Sequence, residues 1–225
     1  MRTKAVLKWV IAVAGVAGAT ALAAPIRGTV RMASDASRPA AEEGPATYYW
    51  KVWNGFLDPR PPRPRPDREL AVVLTGAEVE APTGCTYRIQ GGDLMPKTIV
   101  TKAGAALRIE NRDGCAHELQ SSEIPDFAPL ATAPGNARAI NVPAGGPYTI
   151  TDRLYAHVGG TVHALGDLVA CARMAPDGSY SFEGIAAGSY TLKVFRGAEE
   201  VHSAPVQVTE GVPLQVEPIT LGGGS

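Results

Sequence analysis

No Cys-x-x-Cys pair occurs in this sequence, and its three cysteines, Cys85, Cys115 and Cys171, are too widely spaced to make one. A zinc cluster and a thioredoxin-like redox motif are thereby excluded. There is no Gly-x-Ser-x-Gly elbow, no His-Glu-x-x-His helix and no phosphate-cradling glycine loop, so no catalytic constellation emerges and an enzyme is not expected. Phenylalanine and tryptophan are scarce, at four and three residues. No long amphipathic helical period appears after the first two dozen residues, which argues against a helical fold.

What those first residues contain is a basic front, Arg2, Lys4 and Lys8, an uncharged run over 9–22, and then Ala-Leu-Ala-Ala. This reads as a secretory signal peptide over 1–23, cut after Ala23. The apolar run falls short of the ~20 residues of a membrane span, so the mature chain is expected to be exported, to the periplasm or beyond, with no remaining span. Losing three of 21 basic residues leaves 18 against 22 acidic ones, a net charge of −4. That balance argues against a nucleic-acid partner. An odd cysteine count in an exported chain implies one disulfide and one leftover thiol.

The remainder reads as short alternating runs separated by turn signals, the pattern of an all-β protein. Strands are expected at 26–31 (IRGTVR) and at 70–76 (LAVVLTG), the latter nearly continuous in apolar residues. Between them, 47–53 (TYYWKVW) would put Tyr48 and Trp50 on one strand face and Tyr49 and Trp53 on the other. Such rings either stack on sugars, as a glycan platform of Tyr48, Trp50 and Trp53, or pack a sandwich edge. The Arg- and Pro-rich loop 58–68 is expected to be polyproline II. Toward the other end, 176–195 (PDGSYSFEGIAAGSYTLKVF) carries two turns and two alternating strands, and 206–209 and 214–221 supply two more.

That closing stretch, from 168 to 221, resembles the carboxypeptidase regulatory-like module, a prealbumin-like sandwich related to carbohydrate-binding folds. The module also needs an opening Gly-x-Val strand and a Val-Val-Leu strand. Both lie before a gap of roughly 90 residues, a domain's worth. The resemblance therefore implies a discontinuous sandwich, 26–80 plus 166–221, with another domain inserted over 83–165. The insert reads YRIQ, PKTIVTKAGAALRIENRDGCAHEL and RAINVPAGGPYTITDRLYAHVGGTVHAL, and this order resembles a cupredoxin-like β-sandwich or barrel. The label implies no peptidase activity.

A blue-copper centre takes two imidazoles, a thiolate and a weak axial thioether. The family pattern places these at His117, Leu154, His157 and Gly160, so both histidines are kept while thiolate and thioether are gone. The resemblance thus implies a cupredoxin scaffold without blue copper and without a bound cofactor. One alternative is a non-blue copper or zinc site at His117 and His157, with support from Cys115 and His163; the other is carbohydrate binding by the outer sandwich. The implied fold favours a Cys85–Cys171 disulfide at the base of the insert, with Cys85–Cys115 remaining open if the loops are longer. The expected role is binding or structural, with an unknown protein or glycan partner.

Overall fold

A computed structural model gives the fold and describes residues 24–32, 65–77 and 79–222. The expected signal peptide 1–23, the rings of Tyr48, Tyr49, Trp50 and Trp53, and the loop before Arg65 lie outside the described residues. The chain is all-β: among the described residues the sole α-helix is the four-residue α1 (Pro66–Glu69). It corrects the expected polyproline conformation at 66–68. Pro66 sits at the first helical position, where its missing N–H costs nothing, and the amides of Arg68 and Glu69 turn back onto the Arg65 carbonyl at 2.9 and 3.1 Å.

One sandwich is built from both chain ends. Its first sheet orders β12 (Arg173–Met174), β13 (Ser179–Ile185), β1 (Ala24–Met32) and β16 (Leu214–Gln215), with β17 (Ile219–Leu221) also paired to β1. The facing sheet orders β11 (Leu168–Cys171), β2 (Leu70–Thr75), β14 (Gly188–Arg196) and β15 (Glu199–Val208). Ile26, Val30, Leu70, Val72, Leu74, Phe182, Leu192 and Val194 fill the space between them. Gly28 on β1 makes room for the Tyr180 ring: a Cβ there would lie 2.3 Å from its hydroxyl, so the ring would have to shift. Burial pushes the Tyr180 phenol up to about 12.

The nearly unbroken apolar run of β2 has a physical cause: both of its faces are buried. Leu70, Val72 and Leu74 enter the core just described, while Ala71 and Val73 face outward into a second cluster with Val100, Leu168 and Phe195. A strand buried on one side alone alternates with polar residues; this one cannot.

Val100 belongs to the inserted sandwich. One of its sheets orders β4 (Leu94–Met95), β3 (Tyr87–Ile89), β6 (Ala106–Asn111) and β8 (Ala137–Asn141); the other orders β5 (Thr98–Lys102), β10 (Gly159–Leu165), β9 (Gly145–Asp152) and β7 (Leu119–Gln120). Each sheet holds one parallel pair, β3 with β6 and β5 with β10. Ile89, Leu94, Ile99, Leu107, Ile109, Phe127, Ile150 and Val162 form its core.

The junction is also tied by polar groups. The Thr98 hydroxyl donates to the Glu69 carbonyl at 2.5 Å and accepts the Gly197 amide at 2.8 Å. His163, on β10, donates from Nε2 to the Gly197 carbonyl at 2.7 Å, with its ring against Phe195. Cys85 and Cys171 are joined, with Cα atoms 4.9 Å apart. Beside them the Cys171 amide donates to the Thr83 carbonyl at 2.8 Å.

The disulfide closes 86 residues of chain, which constrains the unfolded state. Replacing both cysteines, Cys85→Ser with Cys171→Ser, is expected to cost about 4 kcal/mol in urea unfolding. A thiol titration of the unreduced, unfolded wild type should return the single free cysteine, Cys115.

Candidate functional site

At the end of β6 the chain makes a tight polar loop, and Asn111 organises it. Its Nδ2 donates to the carbonyls of Cys115 and Thr132, at 2.8 Å each, while its Oδ1 accepts the Asp113 amide at 2.9 Å. The loop delivers His117 into a buried position, 1 % exposed, where its backbone pairs with Thr132. This explains the Asn-x-Asp spacing before the histidine: the amide side chain of Asn111 satisfies carbonyls that a buried loop would otherwise orphan.

Both ring nitrogens of His117 face carboxylates. Nδ1 lies 2.7 Å from Oδ2 of Asp152, whose side chain is fully buried, and Nε2 lies 3.2 Å from Oδ2 of Asp113. Ionised carboxylates only accept, so a ring nitrogen bonds to either acid only by donating its proton. Each acid is itself held. Asp152 Oδ1 accepts the amides of Leu154 and Tyr155 at 2.7 and 3.2 Å. Asp113 accepts those of Gly91 and Gly92 at 2.5 and 2.9 Å. Desolvation works against ionisation of Asp113, but the two amides and His117 outweigh it, so its carboxyl sits below the usual carboxylate range.

Around this clamp, Cys115 is exposed, with Sγ 3.7 Å from His117 Nε2. The Tyr155 phenol is held above its ordinary value, first by the neighbouring Cys115, then by desolvation and by Asp152. The Tyr155 ring lies 5.1 Å from that of His117 and 6.2 Å from that of His157. His157 itself is exposed, near Gly92.

The structure thus gathers Cys115 and His117, puts His157 at the surface beyond Tyr155, and sets His163 at the junction on the Gly197 carbonyl. Among the described residues no group of three or more His, Cys, Asp or Glu side chains is placed to hold a metal ion. The two remaining blue-copper positions also fit poorly. Leu154 turns outward, 46 % exposed. A side chain at Gly160 would meet the Lys97 carbonyl 2.3 Å from its Cβ. The donor set does not fit a blue-copper ion.

By sequence Asp113 reads as one of the scattered acids of a solvated rim near His117; the structure sets it against the ring instead. Asp152 is the residue that sequence reasoning missed. Asp152 is 35 positions from His117, and nothing local marks it.

No protein-family model matches the chain, and no curated protein does. Part of it is similar to solved structures. A reduced amicyanin variant is 17 % identical, over 38 % of this chain and 86 % of that one, with a TM-score of 0.33. Amicyanin from Paracoccus versutus is 15 % identical, over 43 % and 98 %, with a TM-score of 0.33. A copper-containing nitrite reductase from Thermus scotoductus SA-01 is 18 % identical, over 40 % of this chain but 24 % of its own, with a TM-score of 0.32.

Two outcomes follow from the clamp. His117→Ala leaves one oxygen of the fully buried Asp152 carboxyl without its ring partner, and is expected to cost about 1–3 kcal/mol in urea unfolding. Because the Asp113 carboxyl is depressed on folding, its stabilisation is complete above pH ~4 and is lost as pH falls below that. The melting temperatures of wild type and Asp113→Asn should therefore differ most at pH ~6 and converge toward pH ~2.5.

Proposed function

We propose that this is an exported, non-enzymatic binding or structural protein. In this reading its inserted sandwich is a cupredoxin-like scaffold that carries no blue copper, and its outer sandwich is a carboxypeptidase regulatory-like module. One observation carries the reading. The imidazole that a copper site would use is held at both nitrogens, by Asp152 at 2.7 Å and Asp113 at 3.2 Å. A metal ligand must present a lone pair, and here each lone-pair position faces an acceptor. The parallel β3–β6 and β5–β10 pairs and the loop carrying His117 support the scaffold. The disulfide supports an oxidising compartment.

A second reading rests on Cys115. With Nδ1 oriented by Asp152, the Nε2 of His117 faces both Cys115 Sγ and Asp113 Oδ2. A carboxylate behind a histidine is also how metal-ligating imidazoles are held, and Cys115 with His117 would supply Cu(I) or Zn(II) with two of the ligands of a non-blue site.

Titration of the mature protein with Cu(I), Cu(II) and Zn(II), by calorimetry and visible absorbance, separates the two. The favoured reading expects weak binding, no thiolate–copper absorption, and no change on Cys115→Ser with His157→Ala, a pair that leaves the His117 clamp in place. One tight equivalent that this double variant loses would overturn it and make the chain a metal carrier.

A further inference from the structure

The outer face of the sheet containing β1 looks away from the core, and strand pairing fixes what stands on it. Arg27 on β1 is opposite Ser181 on β13 and Gln215 on β16, and Ser181 is opposite Arg173 on β12. These four form one row across the sheet, while the alternating Ile26, Tyr180 and Phe182 point inward. A second row pairs Thr29 with Ser179, and a third places Arg31 beside Thr220 of β17. Arg27, Arg31 and Arg173 are all exposed. None has a salt bridge or side-chain hydrogen bond to a described residue, unlike Arg108, Arg112 and Arg153, which each meet a glutamate.

Strand spacing sets the pattern. Arg27 and Arg173 stand two strands apart, about 10 Å, and Arg27 and Arg31 stand four residues apart, about 13 Å. Hydroxyls of Ser179, Ser181, Thr29 and Thr220 lie between and beside the guanidinium groups. The row runs on into a cleft of about 680 Å³ between the two sandwiches, lined by Arg173 and Ser181 on one wall and Arg88 of β3 on the other. The acids nearby are few. Two acids line the cleft, Asp67, which Arg65 holds through two bonds of 2.9 Å, and the exposed Glu183; Asp177 is bonded to Ser179 at the end of the turn, and Glu217 is exposed.

A hydroxyl-bearing sheet face with separated, unpaired arginines suits an extended polymer carrying anionic groups at intervals among hydroxyls. It suits a bilayer less well, since the large exposed apolar residues, Leu130, Leu154 and Val212, stand outside these rows. We propose that this face and the adjoining cleft bind a linear acidic polysaccharide bearing carboxylates or sulfates. The inference goes beyond the reading of the His117 end. It concerns the other sandwich, and it stands whether or not the chain holds a metal.

The test uses the full mature chain and two probes, heparin for sulfates and polygalacturonate for carboxylates, with neutral dextran and anionic lipid vesicles as comparisons. Affinity is measured at about 50 mM salt, where exposed charges are weakly screened. The triple variant Arg27→Gln, Arg31→Gln, Arg173→Gln is set against Arg108→Gln with Arg112→Gln, which removes surface arginines from the inserted sandwich. Binding to at least one polyanion, weakened roughly tenfold or more in the triple variant and kept in the control with dextran unbound, is the expected result. Equal loss in both variants, binding of neither polymer, or binding to the vesicles alone would overturn it. Circular dichroism of each variant, and the metal titration above, keep misfolding and metal binding distinguishable from loss of this surface.

Discussion

One fold can interrupt another only if the strands it separates still meet, and here that meeting is the antiparallel pairing of β2 with β11. Thr75 and Leu168, on either side of the insertion, are partners, and the Gly76 amide closes on the Asp167 carbonyl at 2.9 Å. The pairing of Thr83 with Ala170 and the Cys85–Cys171 bond repeat the closure a few residues farther out. The departing and returning chains are thus held together three times over. The inserted sandwich is then seated by the outward face of β2, where Val73 meets Val100 and Phe195. Position follows from covalent and ladder constraints; orientation follows from apolar burial.

The His117 end shows a different economy. A metal site gathers negative and neutral donors around a cation; this loop gathers two carboxylates around an imidazole instead. The desolvation of Asp152 is offset by the ring and by two backbone amides, which is the condition for burying charge at tolerable cost. The glycine amides at 91 and 92 play the same part for Asp113. With both acids satisfied inside the protein, the remaining thiol and the exposed His157 are left at the rim.

Much of this architecture was legible because it lies in local pattern. The nearly continuous apolar run at 70–76 marks a strand, and the Asp-Gly turn at 177–178 marks the hairpin before β13. His117 is singled out by the family pattern that the resemblance supplies, and the disulfide follows from the geometry the resemblance implies. What stayed hidden depends on distant pairing. Asp152 meets His117 only because β9 returns beside β7, and no spacing rule reports that. His163 looked like part of a histidine group by proximity in sequence to His157, yet the strand between them carries it to the opposite end of β10 and onto Gly197. The 58–68 segment was read from composition, and composition does not report that Pro66 opens a helical turn.

The two-sided burial of β2 also bears on how the chain is made. As the polypeptide emerges from its amino end, β1 and β2 appear first, yet their partners β13 and β14 are among the later strands to be synthesised. The inserted sandwich draws its ladder partners from its own span and can close while the outer one is still waiting. During that interval a strand with six buried positions has neither of its faces covered. Its inner half must wait for the last strands, but its outer half can dock on Val100 as soon as the insert is formed. Insertion therefore does more than add a module: it supplies an early, chain-encoded shelter for an apolar, uncharged strand of its host.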